Sequence, residues 1–234
     1  MDMDKDLLKK IIERIKNEEP FLGCTTWGGP KTIRLKNGTI SRSLDFSNKY
    51  WDSILELTPY YGVRFDILQR WSEKIRYSYS RTWETFYCSG SFIGAQERFE
   101  YDRCQVFTDA QYAELRDTIV RCSKHFYSSV STLEDAYSYL VAPVLRGQRS
   151  LPDQGDDWIF ERCALAWLVN PADYPLFKEI TKERIEYLLY GRNFKEPSIG
   201  QYEGKFDEIF DYLEHYDFSK ELKLYEESLA TIIN

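Results

Sequence analysis

The chain has 234 residues, of which 43% are hydrophobic and 16% are aromatic, enough apolar surface to form a packed core and to exclude a disordered chain. Its net charge of -7 at pH 7 disfavours binding to phosphate backbones. Its five cysteines, an odd number without a repeated spacing, predict free thiols and no disulfide framework.

The first segment predicts an amphipathic helix over residues 4–19 that ends near Pro20. Its apolar residues recur at helical spacing: Leu7, Leu8, Ile11, Ile12 and Ile15. Acidic residues precede the first of them, which is not the pattern of a secretory signal. No apolar stretch approaches the roughly 18 residues of a membrane span. We therefore expect a cytoplasmic protein with no membrane partner.

Residues 23–30, GCTTWGGP, allow two interpretations. Backbone amides around Cys24 would form an oxyanion hole for a nucleophilic thiol, provided that a histidine such as His125 comes within hydrogen-bond reach. Glycines are also typical of a tight bend before a strand. We favour the bend and keep the nucleophile as the alternative.

The next segments predict a hairpin, two helices and one or two strands. Ile33 and Leu35 alternate with polar residues before Asn37-Gly38, a strong hairpin signal because a type I′ turn needs positive φ at both central residues. Residues 47–78 predict two helices broken around Pro59 and Gly62. The aromatic, alternating residues between 80 and 107 predict one or two strands.

Helices are predicted for most of the chain after Thr108. Capping-box spacing pairs Thr108 with Gln111 and Ser131 with Glu134. The predicted helices cover 109–127, 132–146, 157–169, 175–190, 203–215 and 218–233. A polar segment at 146–157 predicts a boundary between lobes 1–146 and 157–234 of a single compact domain. The expected fold class is α+β and predominantly helical, with a small antiparallel hairpin or sheet in the first half and a helical, bundle-like second half.

Sequence motifs for metal and nucleotide chemistry are absent. Cys122 and His125 lie three residues apart on a predicted helix, but no second pair completes the four ligands of structural zinc. No phosphate-binding glycine motif or nucleophile elbow occurs. We predict no metal and no cofactor. Nucleic acid is not an expected partner, because the basic segments of the first half are interspersed with acids.

Charge is distributed unevenly along the chain. Residues 151–234 contain 9 Lys/Arg and 18 Asp/Glu, a net of -9, which leaves 22 against 20, or +2, for residues 1–150. Such an acidic field favours basic partners, and tyrosines are common interface anchors. The candidate partner-binding residues are Asp207, Glu208, Asp211, Glu214, Asp217, Tyr202, Tyr212 and Tyr216.

Two functional hypotheses follow from these features. The favoured one is a non-enzymatic protein-binding protein, most specifically an immunity or antitoxin-type inhibitor whose acidic, Tyr-rich surface caps a basic toxin or effector. The alternative is a hydrolase or transferase that uses Cys24 or a carboxylate in an aromatic pocket.

Overall fold

The computed structural model describes residues 3–26, 32–51, 53–71, 86–88, 98–102, 105–151, 159–191 and 203–233. These residues form an α+β fold that is mostly helical, as the sequence predicts. The chain divides into two compact units. The first comprises Met1–Arg64, Thr82–Ser129 and Thr231–Asn234, and the second comprises Phe65–Arg81 and Val130–Ala230. Both flanks of residues 146–157, the expected lobe boundary, belong to the second unit.

The described residues of the first unit form an antiparallel sheet and two helices. Its elements are α1 (Met3–Ile15), β1 (Thr25–Thr26), β2 (Thr32–Asn37), β3 (Ile40–Trp51), β4 (Ile54–Phe65), β5 (Phe86–Cys88), β6 (Phe99–Asp102) and α3 (Asp109–Ser129), while a short helix, α2 (Asp66–Arg70), follows β4 in the second unit. The strand order is β1-β2-β3-β4-β5, and β6 also pairs with β4. The helix predicted over 4–19 and the strands predicted between 80 and 107 are confirmed.

The predicted hairpin is confirmed, but its turn lies one residue later than expected. Asn37 pairs with Ile40, so Gly38 and Thr39 are the two turn residues. Gly38 has φ 60 at the first central position, where type I′ and type II′ turns both need positive φ. The turn therefore uses the conformational freedom of glycine at a different position from the predicted type I′ turn.

Of the two helices predicted over residues 47–78, the part up to residue 65 is wrong, because this segment completes β3 and forms β4. Residues 66–70 are helical in α2, and residues 72–78 lie outside the described residues. Residues 54–57 of β4 pair with β6 and residues 61–63 pair with β5. Pro59 lies between the segments that pair with β6 and with β5. One partner of β4 is the preceding strand β3, whereas β5 and β6 lie far away in the sequence, and local helical spacing does not reveal this pairing.

Helices α1 and α3 pack together within the first unit. The apolar residues of α1 are buried, including Ile11 and Ile15. Arg14 of α1 donates to the Asp109 carboxylate over 2.9 Å, and its guanidinium lies 4.2 Å from the centre of the Tyr112 ring. The Tyr127 hydroxyl donates to the main-chain oxygen of Ser43, which joins α3 to β3. Thus both helices are fixed by specific polar contacts as well as by apolar burial.

The second unit is helical among the described residues. After α2 it contains α4 (Leu133–Leu140), α5 (Ala142–Leu145), α6 (Ile159–Val169), α7 (Tyr174–Tyr190), α8 (Phe206–Glu214) and most of α9 (Ser219–Ile233). The last four elements confirm the helices predicted after residue 157. No helix in the described ranges is long and apolar enough to cross a membrane.

Two helix starts test the predicted capping boxes. Thr108 and Gln111 exchange hydrogen bonds at the start of α3, as predicted. The box that starts α4 joins Thr132 and Asp135, one residue later than the predicted pair. The helix predicted over 132–146 is divided between α4 and α5. Pro143 lies in the first turn of α5, where its missing N–H is tolerated, whereas a continuous helix would place it in the interior.

Candidate protein-binding surface

Helix α8 presents carboxylates to solvent. Residues 206–214 contain four acidic residues and no basic one. Asp207, Glu208 and Asp211 are exposed, whereas Ile209 and Phe210 are buried on the opposite side. This separation follows from the helical period, which places residues three and four apart on one face. Three of the five acidic candidates therefore lie on one exposed face.

Glu214 is directed towards α7 and is occupied by partners inside the second unit. Its carboxylate accepts hydrogen bonds from the Lys178 ammonium at 2.5 Å and from the Tyr174 hydroxyl at 3.0 Å. The hydrogen bond from Lys178 lowers the pKa of Glu214, against the opposing effect of burial. Glu214 thus connects α8 to α7 and keeps its negative charge at neutral pH.

A second ion pair joins the same two helices. Lys182 lies 2.8 Å from the carboxylate of Asp207, and the hydrogen bond between them lowers the pKa of Asp207. Lys178 pairs with Glu214 at the end of α8, whereas Lys182, which comes later in α7, pairs with Asp207 near the beginning of α8. The two helices therefore run antiparallel. Both lysines also lie over the Phe210 ring, at 5.3 and 5.7 Å from its centre. Lys178 and Lys182 are therefore directed along the boundary of α7 with α8, whereas the guanidinium of Arg184, the third basic residue of α7, lies over the Tyr187 ring.

Two other acidic candidates have local partners. The Asp217 carboxylate accepts hydrogen bonds from the N–H and hydroxyl of Ser219, the first residue of α9, at 3.0 and 2.6 Å. These bonds lower the pKa of Asp217. Asp211 lies 3.4 Å from His215, one helical turn away. Asp217 thus holds the start of α9, while Asp211 remains exposed at the end of the outward face of α8.

Tyr212 and Tyr216 are half-buried in an aromatic cluster. Tyr212 stacks on Trp71, with ring centres 6.5 Å apart, and meets Tyr216 edge to face at 5.7 Å. Tyr216 also packs against Phe218 at 4.7 Å, and burial raises its pKa to about 12. Both rings have packing roles in the second unit. Tyr202, the third candidate, lies outside the described residues.

The outward stripe of α7 was not predicted from the sequence. We define it as the exposed residues Leu176, Glu179, Glu183, Glu186, Tyr187 and Tyr190. The exposed fractions are 56% for Leu176, 46% for Tyr187 and 66% for Tyr190. The sequence shows the 3–4 residue spacing of this stripe, but the buried stripe through Phe177 and Ile185 has the same spacing. Spacing alone does not decide which stripe faces the core.

Cys24, the alternative catalytic candidate, lies in a turn and is half-buried. Its N–H donates to the Phe21 carbonyl at 2.9 Å, and Gly23 has φ 81. Thr25–Thr26 then pair with β2, whereas residues 27–30 lie outside the described ranges. Burial raises the pKa of Cys24 to about 11, although Lys16 acts in the opposite direction. A nucleophilic thiol needs a lowered pKa, whereas the net effect of the described surroundings of Cys24 is to raise it.

Cys122 and His125 have different surroundings on α3. Cys122 is buried, and burial raises the pKa of its thiol, whereas His125 is exposed. A shared metal ion needs both side chains on one accessible side. In the part of the chain that the structure describes, no three His, Cys, Asp or Glu residues are grouped so as to hold a metal ion.

No family model, curated protein or solved structure matches this chain. Its functional interpretation therefore depends on the chemistry of its own surfaces.

Proposed function

We propose that this chain is a non-enzymatic protein-binding protein, most specifically an immunity or antitoxin-type inhibitor that caps a basic toxin or effector. The proposal concerns an acidic face, which we define as the outward carboxylates of α7 and α8: Glu179, Glu183, Glu186, Asp207, Glu208 and Asp211.

One observation carries the proposal: the six carboxylates of the acidic face are exposed, while Lys178 and Lys182 of α7 lie along the helix boundary. Lys178 and Lys182 are engaged by Glu214 and Asp207, so they do not interrupt the outward carboxylates. A surface of one charge sign attracts partners of the opposite sign and increases their association rate. The expected partner therefore presents lysine or arginine residues.

Exposed aromatic residues beside the carboxylates supply the second requirement of a protein interface. Electrostatic attraction accelerates the encounter, but affinity comes mainly from a few buried anchors, among which tyrosine is enriched. Tyr187 and Tyr190 lie on the same side of α7 as its three glutamates. The face thus combines charge for association with apolar area for a lasting complex.

The proposal is tested by capturing partners on the tagged chain from a lysate of its source cells, at low and high salt. The test protein carries Glu179→Gln, Glu183→Gln and Asp211→Asn, which leave both lysine pairs intact. Its matched control carries Glu100→Gln, Glu114→Gln and Asp117→Asn, three exposed acids of the first unit.

We expect the wild-type chain and the control to retain one basic protein in stoichiometric amounts, with less retained as salt is added during association. The test protein should lose it. Retention of no basic protein, or equal retention by the test protein and the control, overturns the proposal.

A further inference from the structure

We propose that the outward stripe of α7 binds one basic amphipathic helix of the partner. The tyrosine and leucine side chains of the stripe act as apolar anchors, and the glutamates between them pair with the basic residues of that helix. This inference rests on the proposed function and assigns the contact to a particular helix.

The first argument is the geometry of the stripe. From Leu176 to Tyr190 it runs about 21 Å along one side of α7, at 1.5 Å per residue. Its apolar members lie at the two ends, Leu176 at one and Tyr187 with Tyr190 at the other, and Glu179 and Glu183 lie between them. A ridge of this length fits a single helix of about four turns.

The second argument is the exposure of the anchors. Tyr190 and Leu176 are exposed by 66% and 56%, which is high for large apolar side chains in a helix whose other face is fully packed. The Tyr190 hydroxyl donates to Glu203 at 2.9 Å and the Arg184 guanidinium lies 5.1 Å from the centre of the Tyr187 ring. Both rings are thus held in place while much of their surface stays in water, an arrangement that lowers the entropy lost on binding.

The third argument is charge complementarity, which selects the occupant. The glutamates of the stripe lie at positions 179, 183 and 186, and none of the six residues that define it is basic, although the Arg184 guanidinium lies over its Tyr187 ring. A second copy of this chain would place three carboxylates against three carboxylates, which is unfavourable. A phosphate-bearing ligand would be repelled in the same way. A helix with lysine or arginine at its centre and apolar residues towards its ends matches both the central glutamates and the apolar ends of the stripe.

The experiment uses the full-length chain and two synthetic 18-residue amphipathic helices that carry a fluorescent label. One peptide carries lysines at the centre and leucines towards the ends of one helical face, and the other has glutamate in place of every lysine. The binding variants are Tyr187→Ala with Tyr190→Ala and, separately, Leu176→Gln, which removes an exposed anchor without touching either ring. The matched control is Leu22→Gln with Val106→Gln, which changes exposed apolar residues of the first unit. Circular dichroism verifies that each variant is folded.

Wild-type protein should bind the lysine peptide and not the glutamate peptide in fluorescence anisotropy. Both binding variants should weaken that affinity, the double variant by about tenfold, because each lost interface anchor typically weakens binding severalfold. The control should bind as the wild type does. Unchanged affinity in both binding variants, or equal affinity for both peptides, overturns the inference.

The charge-neutralised test protein of the capture experiment separates the two proposals. If it loses the lysine peptide while the tyrosine and leucine variants keep it, the docking inference fails and the acidic face stands. If it binds the lysine peptide as tightly as the wild type does, the acidic face itself fails.

Discussion

The ammonium of Lys178 on α7 lies 2.5 Å from a carboxylate oxygen of Glu214 on α8, and both side chains are less than one-third exposed. This pair joins the two helices that carry the acidic face. Partial burial favours a measurable interaction, because solvent screens it less than it screens an exposed pair.

A double-mutant cycle measures the strength of this pair. Lys178→Met and Glu214→Gln should each lower the free energy of unfolding, and the coupling between them should be about 1 kcal/mol, the size typical of a charge-assisted hydrogen bond that is partly screened. Urea unfolding of the wild type, both single variants and the double variant gives the value. Additive effects of the two substitutions contradict the prediction.

The same pair predicts how stability depends on pH. Because the Lys178 hydrogen bond lowers the pKa of Glu214 in the folded protein, the unfolded chain takes up a proton first as the pH falls. The contribution of Glu214 is complete above its ordinary pKa of 4.5 and is lost as the pH falls through the lower folded value. Glu214→Gln and Lys178→Met should both reduce the slope of unfolding free energy against pH in this range. A slope as steep as that of the wild type in both variants rules out this origin.

The capping box of α4 predicts a stability loss at Thr132. Its side chain accepts a hydrogen bond from the Asp135 N–H at 3.1 Å, while the Asp135 carboxylate accepts from the N–H of Thr132 at 3.1 Å. Thr132→Ala should lower the free energy of unfolding by about 1 kcal/mol. Thr132→Ser, which keeps the hydroxyl, should retain most of the stability that the alanine variant loses. Thermal unfolding of the two variants compares them, and an equal loss from both would argue against a capping role.

The hairpin turn predicts a requirement for glycine at position 38. An alanine there must adopt φ near the observed 60, which is unfavourable for a residue with a Cβ. Gly38→Ala should therefore lower the free energy of unfolding by about 1 kcal/mol. Lys36→Ala, on an exposed position of the same hairpin, is the control. Similar urea midpoints for the two variants would show that the turn tolerates a side chain.

Cys24 should react slowly with alkylating reagents. Burial raises its pKa from an ordinary 9.0 to about 11, so at pH 8 its thiolate fraction is about 100-fold lower than in an unfolded chain. Iodoacetamide labelling followed by peptide mass analysis should show a difference of about that size between folded and urea-unfolded protein. Rapid labelling of folded protein near neutral pH would instead restore the nucleophile hypothesis.

Most elements with strong local signals were predictable. The N-terminal helix, the hairpin and the helices after residue 157 follow from periodicity, a turn signal and proline placement. The segment 47–65 was predicted wrongly because its apolar residues suit either period at short range. Its strand form depends on the pairing of β3 with β4 and on the further pairing of β4 with β5 and β6, which lie tens of residues away.

The acidic candidates were predictable as a group but not individually. The sequence placed four carboxylates within α8, and it did not show that Glu214 would face Lys178 while Glu208 faces solvent. The sequence likewise does not show which tyrosines are buried and which are exposed. Tyr212 and Tyr216 pack in the aromatic cluster, and Tyr187 and Tyr190 are the exposed rings of α7.

By itself, the sequence determined the fold class, the helical character of the second half and the acidic charge of its last third, because these depend on composition and local spacing. Only the tertiary structure decided which side of each helix meets solvent, how the lysines of α7 are engaged and where Cys24 is buried. Those properties depend on partners that are distant in the chain, and a helix with two equivalent stripes acquires an inner and an outer face only when another element packs against it.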